Sequence, residues 1–411
     1  MKRYRRTALP QYFILLLIIL VIIGIGFLSK FVMESVPFLD YFALPWAATR
    51  SWLLEGSNPY GADITQVALT NISESGYLAR LPEITELRHP IINLFFYLPF
   101  SLIPYFYSRI LWMTILFISV ILLSYYAFHM IRLKPTKIEI IGLIILSVIW
   151  LPSLYGILTG QLSILIMLIM VVSLYLISVE KFQAAGFLLA LVFGSLPTSI
   201  FLIIYVFIYA ISRRKWSIIT ASLSGVAFLI IVSLLMYPSW LLNWFGVIFN
   251  LFEDLDWVQT PLMTLASFLP GINRFLSIFF HATLGVYLLF MWINTARQNN
   301  RNLNWNAAAI LIISFIFHIQ ADLTLLILLI PSIFMIFHFS QDRWKIVGVV
   351  ISWIMVLAIT VGSWLPIIED PDFTRGISSL SLQIGLPLFL LLAMLWIRWW
   401  AIQIPRLASE I

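Results

Sequence analysis

The chain has 411 residues, of which 62% are hydrophobic and only 10% charged, too few polar groups to cover a soluble surface. It reads as a polytopic membrane protein. The formal charge of +6 comes from Lys and Arg gathered in a few short segments, the pattern of topology signals rather than of a nucleic-acid-binding surface, and the absence of Cys excludes disulfides, thiolate metal sites and Cys nucleophiles.

The N-terminus carries Lys2, Arg3, Arg5 and Arg6 ahead of an apolar stretch over 12–28, near the roughly 20 residues that a helix needs to cross ~30 Å of hydrocarbon. A cleaved signal peptide has a shorter core of roughly 7–15 residues and a small-residue cleavage site, and Phe31-Val32-Met33-Glu34 offers none. The run is a signal anchor, with the N-terminus in the cytoplasm. The hydrophilic segment 30–89 follows on the outer side. Asp40 stands near its start, and an interfacial helix is predicted over 45–55, with Phe42, Trp46 and Leu53 near one face and Arg50 on another. Pro45 suits a first helical turn. A helix starting there leaves Asp40 too far upstream to cap it.

Further apolar runs lie over 90–103, 106–131, 138–158, 162–179, 182–211, 217–236, 275–293, 305–339, 346–364 and 380–399. The implied fold is all-α: one integral membrane domain over 1–411, a bundle of about 11–13 spans, with outer segments over 30–89 and 237–274. Lys and Arg favour the cytoplasmic side. Arg132, Lys134 and Lys137, then Arg213, Arg214 and Lys215, Arg297 and Arg301, and Arg343 and Lys345 go inside, while the segments with Glu253, Asp254 and Asp256 and with Glu369, Asp370 and Asp372 go outside. Parity then makes a demand on the run 90–103, which holds Pro99 and stops at Pro104. Either it dips into the bilayer without crossing, or the Arg132 loop departs from the charge rule. The stretch 182–211 is too long for one upright span and joins two inner loops, so it is predicted to be a hairpin turning near Pro197.

This topology puts Gly160-Gln161, Ser195-Leu196-Pro197, His318 and Asp322 on the same side as Asp40. Ionisable groups inside apolar runs are costly and are functional suspects by default. His318 and Asp322 are four apart and share a face on a continuous helix. The length of 305–339 and its return to Arg343 and Lys345 predict a hairpin whose outer bend holds the pair.

An ordered set of motifs runs along nearly the whole chain. It comprises Asp40-Tyr41, then Leu53-Leu54-Glu55-Gly56-Ser57-Asn58-Pro59-Tyr60, then His89-Pro90 through Phe95-Phe96-Tyr97-Leu98-Pro99 with Leu111-Trp112. Gly160-Gln161-Leu162-Ser163 follows, then Ala185-Gly186, Leu196-Pro197 and Arg213-Arg214-Lys215-Trp216, and finally 318–331. In order and spacing this set resembles the membrane mannosyltransferases that use polyprenyl-phosphate mannose, within the GT-C glycosyltransferase superfamily. The chain looks like a diverged member, since the family's Lys before Pro is Leu196 here.

The resemblance implies transfer of a hexose, mannose above all, from a polyprenyl-phosphate donor to a lipid or glycan acceptor on the extracytoplasmic side of the cell membrane. One carboxylate suffices as base, Asp40 is the candidate, and direct displacement implies inversion. Tyr41, Gln161 and Asp322 are candidate substrate contacts, and Arg80, Arg88, His89 and His318 are candidates to replace the missing Lys at the donor phosphate. No obligatory metal or other cofactor is expected. The expected partners are the donor, the acceptor and membrane lipids, with no nucleic acid. Plainer readings stand beside these: Asp40 as a solvated loop carboxylate, Arg80 and Arg88 paired with Glu83 and Glu86, Gln161 as a helix-start hydrogen bond, and His318 with Asp322 as a structural pair. A transporter or lipid flippase is the alternative class.

Overall fold

The computed structural model describes residues 11–82, 87–131, 136–254, 260–266, 271–297, 303–318, 322–365 and 381–401. The basic N-terminal residues 2–6, Glu83, Glu86, Arg132, Lys134, Asp256, Arg301, Glu369, Asp370 and Asp372 lie outside the described residues. In chain order the elements begin with α1 (Gln11–Ser35), β1 (Phe38–Leu39), α2 (Ala43–Glu55), α3 (Asp63–Ser75), β2 (Ala79–Arg80), α4 (Ile91–Leu94), α5 (Leu98–Ser101), α6 (Tyr105–Ile131), α7 (Lys137–Ile149), α8 (Leu151–Thr159) and α9 (Ser163–Ser178). They continue with α10 (Phe182–Leu191), a 3₁₀ turn (Val192–Ser195), α11 (Leu196–Ser212), α12 (Trp216–Met236), α13 (Trp240–Asp254), α14 (Pro261–Ala266), α15 (Asn273–Arg297) and α16 (Leu303–Ile316). A second 3₁₀ segment (Leu323–Leu329), α17 (Ile330–Gly362), a π turn (Ser381–Gly385) and α18 (Leu386–Ala401) complete the described chain.

The chain forms two compact units: Met1–Leu87 with Phe96–Ile118 and Leu158–Gly160, and the remainder. In the first unit, β1 and β2 pair in parallel with Phe38 opposite Ala79 and Leu39 opposite Arg80. The ladder is continued by Asp40 N donating to the Arg80 carbonyl at 2.8 Å and Leu78 N donating to the Met33 carbonyl at 3.2 Å. The helix expected in this segment is present as α2, beginning at Ala43 rather than Pro45. Pro45 is tolerated there because the first helical turn needs no backbone donor. One face of α2 is fixed by side chains that reach carbonyls of α5: Trp46 Nε1 donates to Phe100 at 2.9 Å and Arg50 Nη1 to Ser101 at 2.7 Å.

The second unit is a helical bundle. α7 opens with a reciprocal cap, in which Thr136 Oγ1 accepts from Glu139 N and Glu139 Oε2 accepts from Thr136 N. It bends by 55° into α8, where Pro152 sits in the new first turn. α10 and α12 touch backbone to backbone: a Cβ on Gly186 would strike the Ile218 carbonyl, and Ala190 faces Gly225, the small-residue contact that brings apolar helices close. These pairings make α10 and α12 parallel. The rings of Phe193 and Phe207 lie 6.5 Å apart, whereas a straight helix would separate those residues by about 21 Å. Residues 182–212 therefore fold back at the 3₁₀ turn, as the length of the run and Pro197 led us to expect. α16 and α17 are antiparallel, with Ser332 Oγ donating to the Ala308 carbonyl at 3.1 Å and the Trp305 ring 5.3 Å from Phe339.

Five helical segments among the described residues are long and apolar enough to cross a membrane, or six if α7 and α8 form one bent span. The 40-residue segment Leu323–Gly362 is itself folded. Lys345 takes φ 49° and ψ −122°, and Ser352 Oγ donates to the Phe337 carbonyl at 3.0 Å, a pair that a straight helix would hold about 22 Å apart. The run 90–103 contains two four-residue helices, α4 and α5, neither of which has the length of a span. The chain is a polytopic helical membrane protein.

Candidate active site

Asp40 lies in the first unit, on the short connection between β1 and α2, and is 0% exposed. Its Oδ1 accepts from the backbone N–H groups of Phe42 at 2.8 Å and Ala43 at 3.2 Å, so it does satisfy donors at the start of α2. The N-cap is Phe42, so Asp40 does lie upstream of the capping position as the sequence argument held, and it reaches these donors from two residues before the cap. Oδ2 accepts from the Tyr105 hydroxyl and from Arg109 Nε at 3.1 Å. The reading of Asp40 as a solvated loop carboxylate is thereby excluded: it is one half of a buried ion pair with Arg109, both side chains being fully inaccessible.

Arg109 is placed by α6, four residues beyond Tyr105, so one helical face delivers both partners to the carboxylate. Its guanidinium lies over the rings of Phe38 and Phe42, 5.2 and 5.9 Å from their centres, and its Nη2 donates to the Leu158 carbonyl. The next two carbonyls are held as well, Thr159 by Tyr41 N at 2.9 Å and Gly160 by Trp112 Nε1 at 2.8 Å. Three consecutive carbonyls leading into the Gly-Gln motif are thus gripped by donors from 41, 109 and 112. Gly160 is required here twice over: its φ is +77°, and a Cβ would meet Phe42 Cβ at 3.0 Å and the Arg109 guanidinium at 3.2 Å. Burial, reinforced by Glu34, pushes the nearby Tyr77 phenol far above its ordinary range. It remains a donor, to the Phe106 carbonyl at 3.0 Å.

The second unit gathers a different set of polar groups at helix starts and bends. Gln161, two residues before α9, donates through Nε2 to Asp322 Oδ2. Asp322 caps the second 3₁₀ segment, accepting from Leu325 N at 3.1 Å. Burial raises its carboxyl from the usual range, against the lowering effect of the Gln161 and backbone hydrogen bonds. His318 follows the end of α16, and its Nε2 lies 3.3 Å from Thr198 Oγ1 in the first turn of α11. At the preceding 3₁₀ turn, Asn93 Nδ2 donates to the Gly194 carbonyl at 3.0 Å and to Ser195 Oγ at 3.2 Å, with His89 Nδ1 3.4 Å away. Burial lowers the His89 imidazole to about 4, so it is neutral near pH 7 and offers a hydrogen bond rather than a charge.

Two sequence expectations change accordingly. His318 and Asp322 do not share a helical face, because α16 stops at Ile316 and the two residues have different partners, Thr198 and Gln161. His89, its imidazole lowered by burial, changes from a cationic to a hydrogen-bonding candidate. Leu196, in the position of the family Lys, is the first residue of α11 and 39% exposed. Of the remaining candidates, Tyr41 contributes its backbone N–H to the Thr159 carbonyl, Arg80 is exposed on β2, and Arg88 is partly buried with its carbonyl accepting from Trp244 Nε1 at 3.0 Å. Sequence reasoning missed Tyr105, Arg109 and Asn93. Arg109 carried a signal, since it is a charge inside the apolar run 106–131 and falls under the same rule that singled out Asp322.

A polytopic helical bundle with buried, hydrogen-bonded polar groups at its helix starts defines the class of the chain, a multi-pass helical membrane protein. Residues 88–317, more than half of the chain, match glycosyltransferase family 87, and the chain belongs to that family. It is a membrane glycosyltransferase. No curated protein and no solved structure matches it.

Proposed function

We propose that this glycosyltransferase moves a hexose, mannose in the narrowest reading, from a polyprenyl-phosphate donor to a lipid or glycan acceptor at the extracytoplasmic face of the cell membrane. The observation that carries the reading is the Asp40 carboxylate, held between a phenol and a guanidinium on the connection between β1 and α2. In the proposed step the acceptor oxygen attacks the anomeric carbon while its proton passes to Asp40. The bond from that carbon to the phosphate oxygen breaks, and its electron pair stays on the phosphate. A single displacement of this kind inverts the anomeric centre.

The leaving phosphate needs donors. Arg80 and Arg88 are the cationic candidates, and His318 and the neutral His89 are hydrogen-bonding ones. Gln161, Asp322 and Tyr41 are assigned to sugar hydroxyls. The unit-two set supports this, because a carboxylate and an amide already bonded to each other present the alternating acceptors and donors that a hexose matches. Membership of a glycosyltransferase family weighs against the transporter reading.

The test is Asp40→Asn in membranes supplied with polyprenyl-phosphate mannose. Asn leaves Arg109 buried without its counter-ion, so Asp40→Asn/Arg109→Met is assayed beside it to keep a folded variant in hand. Loss of transfer in both, with folded protein recovered, is the expected result. Full transfer by either removes Asp40 as the base.

A further inference from the structure

Asp40 is already saturated. A carboxylate has about four acceptor directions, and four donors fill them: Phe42 N, Ala43 N, the Tyr105 hydroxyl and Arg109 Nε. A base in this state has no direction left for a substrate hydroxyl, so the proton must reach it through one of these donors.

Three of them cannot carry a proton onward. The N–H groups of Phe42 and Ala43 are amides at the start of α2. Arg109 stays protonated in proteins and is immobilised by Leu158 and by the rings of Phe38 and Phe42. Tyr105 differs in kind. Its hydroxyl donates its one proton to Asp40 while its oxygen keeps acceptor capacity. It stands on the first residue of α6 directly after Pro104, and its ring is braced by Trp46 at 5.4 Å and by Tyr77 and Phe42 at 6.4 Å. Tyr105, like Asp40 and Arg109, is buried.

Resting on the proposed base role of Asp40, we infer that Tyr105 is a catalytic proton relay, touching the acceptor hydroxyl on one side and Asp40 on the other. As the acceptor oxygen bonds to the anomeric carbon, its proton moves to the Tyr105 oxygen and the Tyr105 proton moves to Asp40 Oδ2. The phenol is neutral before and after the step, and the net transfer is from acceptor to carboxylate. Arg109 then has the separate task of fixing the oxygen that receives the proton.

The experiment compares Tyr105→Phe with the wild type and with Asp40→Asn, in detergent-solubilised full-length protein with polyprenyl-phosphate mannose and an acceptor lipid. Phe preserves the ring contacts and removes only the hydroxyl. We expect kcat to fall by at least about 100-fold, the loss typical of removing a positioned acid–base group, with acceptor KM little changed and the unfolding midpoint lowered only as far as one lost buried hydrogen bond requires. The wild-type rate in mixed light and heavy water should curve as two protons move together, a signature that a merely structural tyrosine would not give. If Tyr105→Phe keeps kcat within a few-fold while Asp40→Asn is inactive, the relay is wrong and the base reading survives. If both variants retain transfer, the base reading itself has failed.

Discussion

Replacing Arg109 by Met should be among the most damaging single changes in the first unit. The pair it breaks is fully buried, and removing one partner of such a pair leaves an uncompensated charge, a loss of roughly 3–5 kcal/mol. The Leu158 carbonyl also loses its donor, and the rings of Phe38 and Phe42 lose a cation, although these losses overlap with the first and do not simply add. Asp40→Asn should cost a similar amount for the mirror reason, since it strands the guanidinium. The informative species is the double variant, Asp40→Asn/Arg109→Met. Its Asn still offers an oxygen to the N–H groups at the start of α2, and no buried charge remains, so its loss of stability should fall short of the sum of the single losses by about 2 kcal/mol or more. The assay is equilibrium unfolding of all four proteins in mixed micelles. Additive losses, or a stable Arg109→Met, would refute the claim that a buried ion pair organises this unit.

Other consequences are as concrete. Gly160→Ala should destabilise the chain by about 1–3 kcal/mol, combining a left-handed backbone penalty with a Cβ pressed against Phe42 and Arg109, read as a lower unfolding midpoint. For His89 the folded imidazole titrates near 4, below its ordinary value, so the unfolded chain binds more protons between these limits. The stability contributed is complete above about pH 6.5 and lost as pH falls toward 4, with about 2.5 kcal/mol of it gone at pH 4.5. His89→Gln should flatten that part of the acid dependence, and an unchanged profile would show that the imidazole is not shielded.

Much of this was legible in the sequence. Hydrophobic run lengths located the helices, and the hairpin over 182–211 followed from length and one proline. Of the polar residues that the bilayer argument singled out, Gln161 and Asp322 sit at helix starts and His318 just past a helix end. The misreadings have physical causes. Spacing by four implies a shared face only where the helix is continuous, and α16 ends before His318. Pro45 marks a first turn without saying which of its residues it occupies. Tyr105 was invisible because nothing local distinguishes it from the other tyrosines, and its partner is 65 positions away. Arg109 was overlooked although its charge in an apolar run was in plain view.

The central claim is transfer from a lipid-phosphate sugar, and the most direct measurement is a donor screen with the purified chain in proteoliposomes. Polyprenyl-phosphate hexoses and nucleotide sugars are offered in parallel, with an acceptor lipid and its unlabelled sugar product followed by mass and anomeric configuration. The account predicts a product of inverted configuration from polyprenyl-phosphate mannose, with release of polyprenyl phosphate and none from nucleotide sugars. Transfer from a nucleotide sugar alone, or passage of the lipid across the bilayer with its sugar still attached, would contradict it.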